Sequence, residues 1–233
     1  MGKRETHGIK NSEGHTIVMD IEVPGFKYGY GSVQVSKSNF GQAEYAIVNP
    51  QFEAIMHTYG YKSDITFYRN GEVVIISDDK KRLLTHYRIM NEKPRVINRY
   101  SGASKINRSL FKVRVSDNLV ALYDVTKCSL ITGGFSEIED FNHHSGLNCK
   151  LAIATYRLPY PNRPNEYAEI SCIIDDLGRI RSPLYSSYDD MFYPTGTKEF
   201  NFNQVVQETK DKITNGGVNS SAKRVNLIKT LDK

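Results

Sequence analysis

The chain has 233 residues, 39% of them hydrophobic, and a formal net charge of +5. That length suffices for one large β-rich domain or two small ones, and the composition excludes a disordered chain. The positive excess is mild and spread along the sequence, unlike the concentrated basic face of a dedicated nucleic-acid binder.

Residues 1–14 read as a polar N-terminal arm. A first strand is expected from His15 to Glu22, ended by Pro24-Gly25, and a second through Val33 and Val35 after the Gly- and Tyr-rich stretch Tyr28-Gly29-Tyr30-Gly31. Ala43–Val48 reads as a strand stopped by Asn49-Pro50. Phe52 to Tyr59 reads as a short helix, because Phe52, Ile55 and Met56 share one helical face. Asn70-Gly71 lies between two β-prone runs and predicts a hairpin with a type I′ turn. A two-residue loop would set Arg69 opposite Glu72, Tyr68 opposite Val73, Phe67 opposite Val74 and Ile65 opposite Ile76. Apolar residues fall on both faces, so the hairpin should be covered on each side.

Asp78 is placed to cap a helix through Tyr87, with Lys80-Lys81-Arg82 as its solvated surface and Pro94 closing the region. A second hairpin is expected around Asp117-Asn118, with Val115 opposite Val120 and Val113 opposite Leu122. Ser136-Glu137-Ile138-Glu139 has the form of a capping box, predicting a short helix ended by Gly146. Strands follow at Lys150–Tyr156, at Tyr167–Ile174 and around Ile180. The proline-rich segment 158–164 reads as a loop, as does the polar stretch up to Thr197, and Asp175–Gly178 reads as a turn. Asn201–Thr214 carries a helical apolar stripe of Phe202, Val206, Thr209 and Ile213. Asn215-Gly216-Gly217 ends it. The expected architecture is α+β and strand-rich: antiparallel sheets with hairpins, two to four short helices and a C-terminal amphipathic helix. One globular domain spans 15–214, with a flexible basic arm at 215–233.

The chemistry-bearing signals are sparse. The three cysteines, Cys128, Cys149 and Cys172, are far apart and lack the paired spacing of a zinc site, and their low count fits a reducing compartment. The N-terminus lacks the apolar core of a signal peptide, and no apolar run is long enough to span a membrane. The expected location is therefore cytoplasmic or virion, with no membrane partner. Phosphate loops and the G-x-S-x-G elbow are absent from the sequence.

Asp20 and Glu22 lie two apart on the first expected strand, so both carboxylates point to one face, where a pair can hold Mg or Mn through oxygen ligands. The stretch Ile17–Gly25 resembles the first motif of DEDD-type exonucleases, which opens on a strand carrying Asp-x-Glu. The resemblance covers under a sixth of the chain and implies a metal-dependent nuclease acting on DNA or RNA. No second motif follows Tyr59, and no aspartate stands four or five residues after His143. Asp140, His143 and His144 form a second cluster, with Asp140 and His144 at i, i+4 if helical. The His-His pair beside Gly146 is similar to that of HNH nucleases, without their fuller ββα-metal pattern.

Tyr28, Tyr30, Tyr45, Tyr59, Tyr61 and Tyr68, among Lys27, Lys62 and Arg69, read first as a protein interface and second as stacking platforms for nucleic acid. The C-terminal arm is basic yet carries apolar residues. Lys223, Arg224, Val225, Ile228 and Leu231 are the expected partner-binding residues. The favoured reading is a structural assembly subunit that binds other copies of itself or other subunits, without cofactor. Its architecture of a β-rich body with reaching termini is analogous to that of virion and tail components. A metal-dependent nuclease is the alternative.

Overall fold

A computed structural model describes residues 8–10, 16–18, 26–35, 43–61, 64–77, 81–144, 147–161, 163–187 and 191–193, with the separate positions 207, 208, 211 and 214. The chain divides into two compact units, Met1–Ser104 with Val125–Cys128, and Lys105–Asp124 with Ser129–Lys233. Among the described residues every pairing is antiparallel and no helix reaches seven residues. This corrects the α+β expectation: the described body is built of strands. No helix among these residues is long and apolar enough to cross a membrane.

In the first unit, β1 (Gly8–Lys10), within the span expected as a polar arm, pairs with β2 (Thr16–Val18), which lies within the expected first strand. Lys27 and Tyr30 close a two-residue turn by exchanging backbone hydrogen bonds of 2.8 and 3.1 Å. Tyr28 and Gly29 take the positive φ values, 56° and 88°, that such a turn requires. Next comes a three-stranded sheet of β3 (Gly31–Gln34), β4 (Ala43–Val48) and β5 (Ala54–Gly60). Asn49 stops β4 as expected. Its Oδ1 accepts from the Gln51 and Glu53 amides at 3.1 and 2.9 Å, and its Nδ2 donates to Glu53 and Glu92.

A meander follows: β6 (Ile65–Phe67), β7 (Glu72–Ile76), β8 (Leu84–Met90) and β9 (Lys93–Lys105). Ile47, Phe67, Val73, Ile75 and Ile89 form a shared core, with Ile55, Met56 and Tyr30 packed against it. All five residues of β7 are buried, which agrees with a hairpin covered on both faces.

Two expected helices of this unit are strands. Phe52–Tyr59 gives way to β5, and Phe52 itself has φ 61°, a left-handed conformation incompatible with starting a right-handed helix. Of the expected helix 78–87, residues 78–80 lie outside the described residues and Leu84–Tyr87 belong to β8; Arg82, mid-helix in the expectation, has φ 44°. Pro94 does not close the region. It sits early in β9, just beyond a tight turn at Asn91-Glu92, both with positive φ. The Asn70-Gly71 turn has the expected positive φ at both positions, 64° and 70°. Its register is one residue off: Phe67 faces Val73 and Ile65 faces Ile75, because the Tyr68 amide donates to the Glu72 carbonyl and Arg69 joins the loop. Glu72 therefore does not face Arg69. It faces Arg88 on β8.

In the second unit, β10 (Leu110–Ser116), β11 (Leu119–Asp124) and β12 (Ser129–Leu130) are consecutive neighbours. Ser116 faces Leu119 across the expected Asp117-Asn118 turn, but an irregularity between Arg114 and Ser116 shifts the rest, so Val113 faces Ala121 rather than Leu122. β13 (Glu137–Ile138) and β14 (Asn142–His144) both pair with β15 (Cys149–Tyr160). β15 pairs with β16 (Arg163–Asp175), β16 with β17 (Leu184–Ser186), and β17 with β18 (Met191–Tyr193).

The capping-box helix is absent: Ser136 accepts from the Arg157 amide at 2.8 Å instead of capping, and Glu137–Ile138 pair with β15. Of the proline-rich segment, Leu158–Tyr160 end β15 and Arg163 and Pro164 begin β16, with Tyr160 facing Arg163. Asp175 is fully buried and builds the expected turn, accepting from the Leu177 and Arg179 amides at 3.0 and 2.9 Å and from Arg179 Nε at 2.8 Å. The core joins Leu110, Leu122, Phe135 and Ile138 to Ala154, Ile170, Cys172, Ile174 and Leu184. Of the expected helix 201–214, only Gln207, Glu208, Asp211 and Thr214 lie among the described residues. Gln207 Nε2 donates to Asp211 Oδ1 at 2.7 Å, and the apolar stripe lies outside them.

Candidate functional site

Among the described residues, a cluster of His, Cys and Glu side chains able to hold a metal ion lies in the first unit, centred on β7 and β8. Residues two apart on a strand share a face. Pairing Glu72 with Arg88 and Val74 with His86 therefore puts Glu72, His86 and Arg88 on one face, with His86 diagonal to Glu72. The turn Val125–Cys128 adds a thiol. Cys128 has φ 52°, its amide donates to the Val125 carbonyl at 3.1 Å, and its carbonyl accepts from Asn98 Nδ2 at 3.2 Å.

Arg88 grips one carboxylate oxygen, with Nε 3.1 Å from Glu72 Oε1 and a second, closer contact from its terminal nitrogen. The other oxygen, Oε2, lies 3.6 Å from His86 Nε2. Cys128 Sγ lies 3.9 Å from Glu72 Oε1, 3.9 Å from an Arg88 nitrogen and 3.4 Å from the Val125 carbonyl. Donor atoms of Glu72, His86 and Cys128 all fall within 4.8 Å of one another.

The His86 side chain has no solvent exposure and that of Glu72 has 9%, whereas Arg88 is 45% exposed and Cys128 half-buried. The group is thus closed on the sheet side and open on the side of the thiol and the guanidinium. Burial lowers the His86 pKa; the nearby Glu72 works against this and Arg88 reinforces it. Hydrogen bonding to Glu72 raises the pKa of Arg88. Such a site presents a neutral imidazole, a carboxylate and a thiol, a set of one borderline, one hard and one soft donor.

Most of the expected site residues fall where the structure gives no description. Asp20 and Glu22 lie outside the described residues, as do Lys223, Arg224, Val225, Ile228 and Leu231. His143 and His144 are consecutive residues of a strand, so their side chains leave on opposite faces, and the helical i, i+4 relation of Asp140 to His144 does not exist. Asp140 is 98% exposed and 3.5 Å from Lys112 Nζ. Of the tyrosines, Tyr45 and Tyr68 are buried and Tyr30 packs on the core, leaving Tyr28, Tyr59 and Tyr61 exposed. Burial pushes the Cys172 thiol up to about 12.

The Glu72–His86–Cys128 group was not visible in the sequence, because reading 78–87 as a helix hides the diagonal between β7 and β8. Glu72 at the head of an otherwise apolar strand was the one local hint. No protein-family model matches the chain, and no curated protein matches it.

Proposed function

We propose that the chain is a structural subunit of a larger assembly, of virion or phage-tail type, that binds further copies of itself or neighbouring subunits. The observation that carries this reading is the outer edge of β5. Among the described residues this seven-residue strand hydrogen-bonds to β4 alone. Its sequence, Ala54-Ile55-Met56-His57-Thr58-Tyr59-Gly60, holds neither lysine nor proline, the residues that commonly blunt an edge against pairing. Tyr59 stands on it 69% exposed, the most exposed of the large hydrophobic side chains among the described residues. An edge of this kind adds a strand from a second copy through main-chain hydrogen bonds, with the aromatic side chain adding contact area.

The C-terminal arm supplies a second contact in this reading. Val225, Ile228 and Leu231 dock on a neighbour while Lys223 and Arg224 meet acidic groups at the rim. The linker 215–221 spans up to about 25 Å when extended.

Sedimentation velocity of the full-length chain, of Tyr59→Lys and of a chain lacking residues 216–233 tests this. The full-length protein is expected to self-associate, and each change to shift it toward monomer with an unaltered circular dichroism spectrum. A full-length chain that stays monomeric at every accessible concentration overturns the reading.

A further inference from the structure

We propose that Glu72, His86 and Cys128 form a zinc site, with Glu72 Oε2, His86 Nε2 and Cys128 Sγ as ligands and solvent in the fourth position. Zinc bonds of about 2.0–2.3 Å in a tetrahedron set donor separations of roughly 3.3–3.7 Å. The His86 Nε2 to Glu72 Oε2 distance, 3.6 Å, already has that value. One donor atom from each of the three residues lies within 4.8 Å of the others, and Sγ stands 3.9 Å from the neighbouring Glu72 oxygen, Oε1, so reaching Oε2 and Nε2 asks for a movement of roughly 1 Å, open to a half-buried side chain on a turn.

The donor set selects the ion. Mg and Ca take all-oxygen shells, whereas a thiolate with an imidazole and a carboxylate suits zinc. Arg88 supports the assignment: by holding Oε1 it orients the carboxylate so that Oε2 is the oxygen turned toward His86. The ligands also come from separate pieces of chain. Glu72 and His86 are locked by cross-strand pairing, while Cys128 arrives on the turn Val125–Cys128. The ion therefore fastens that turn to the β7–β8 pair, and its role is to stabilise the unit. Cys128 binds as the thiolate, its proton passing to solvent.

The test uses untagged full-length protein freed of metal with a chelator that is then removed. Zinc titration followed by calorimetry, and cobalt titration followed by absorption, measure stoichiometry and sulfur ligation, the latter through a thiolate-to-cobalt charge-transfer band. One equivalent of ion is expected, with the charge-transfer band and a zinc-dependent rise in melting temperature. Cys128→Ser should abolish the band and weaken zinc binding by tenfold or more. Its side chain is partly exposed, so the fold is retained, as circular dichroism verifies. Cys149→Ser, in the second unit, should keep both signals. Absence of the band in the unaltered protein overturns the proposal, and so does a band that persists in Cys128→Ser or vanishes in Cys149→Ser.

Discussion

Gly71 shows how one residue fixes a turn. Its φ is 70°, and a Cβ built on it would lie 2.8 Å from the carbonyl oxygen of Ile89, an atom of the neighbouring strand's backbone. Gly71→Val therefore meets both a left-handed conformation hostile to β-branched side chains and a backbone that cannot step aside. We expect a loss of about 2 kcal/mol or more in urea unfolding. His86 sets a second expectation at this scale. In the unfolded chain its imidazole titrates near about 6.5. In the folded protein burial lowers that value, with Glu72 opposing and Arg88 reinforcing the shift. As pH falls through the unfolded value, the unfolded state takes up a proton that the folded state refuses, so stability drops. The contribution is complete above about 6.5 and diminishes below it. In chelator-containing buffer, the urea midpoint of the unaltered protein should fall more between pH 7.5 and 5.5 than that of His86→Gln.

At the level of elements, local turn chemistry was legible and longer-range pairing was not. Asn70-Gly71, Asp117-Asn118 and Asp175–Gly178 all turn where the sequence places them, because Asn, Asp and Gly carry their conformational preference with them. Register failed at both hairpins by one residue, through Arg69 joining one loop and the irregularity next to Ser116 in the other. Neither leaves a compositional mark. The two helices expected at 52–59 and 78–87 failed for a related reason: Phe52 and Arg82 adopt positive φ without being Gly, Asn or Asp, so nothing flagged a break in those periodic stretches. Short windows with i, i+4 apolar residues are weak evidence when neighbouring strands offer their edges. The candidate site inherits this blindness, since it needs β8 to be a strand. The buried Asp175 yields a test here. Asp175→Ala leaves the Leu177 and Arg179 amides without their acceptor and should cost about 2–3 kcal/mol by chemical denaturation.

For the molecule as a whole, cohesion comes from antiparallel pairing and apolar cores within each unit. The far-UV circular dichroism spectrum should accordingly be of strand type with little helical signal. Strand neighbours such as β13 and β15 are brought together across intervening chain, and such non-local closure is slow. Refolding from urea should therefore extend into the millisecond-to-second range or beyond, as stopped-flow fluorescence of the tyrosines would record. A microsecond folding phase carrying the full amplitude would contradict this.

The long β15–β16 hairpin has a mechanical consequence. Its hydrogen bonds run across the strands, and β15 is further bonded to β13 and β14, and β16 to β17. A pull applied at the closed end, near Tyr160 and Arg163, acts along both strands as tension. The bonds to the flanking strands are then loaded together in shear. A pull separating Cys149 from Asp175 at the open end instead breaks the pairs one after another. The hairpin is thus stiff toward force arriving through its exposed run Arg163–Tyr167 and compliant toward force that parts its base.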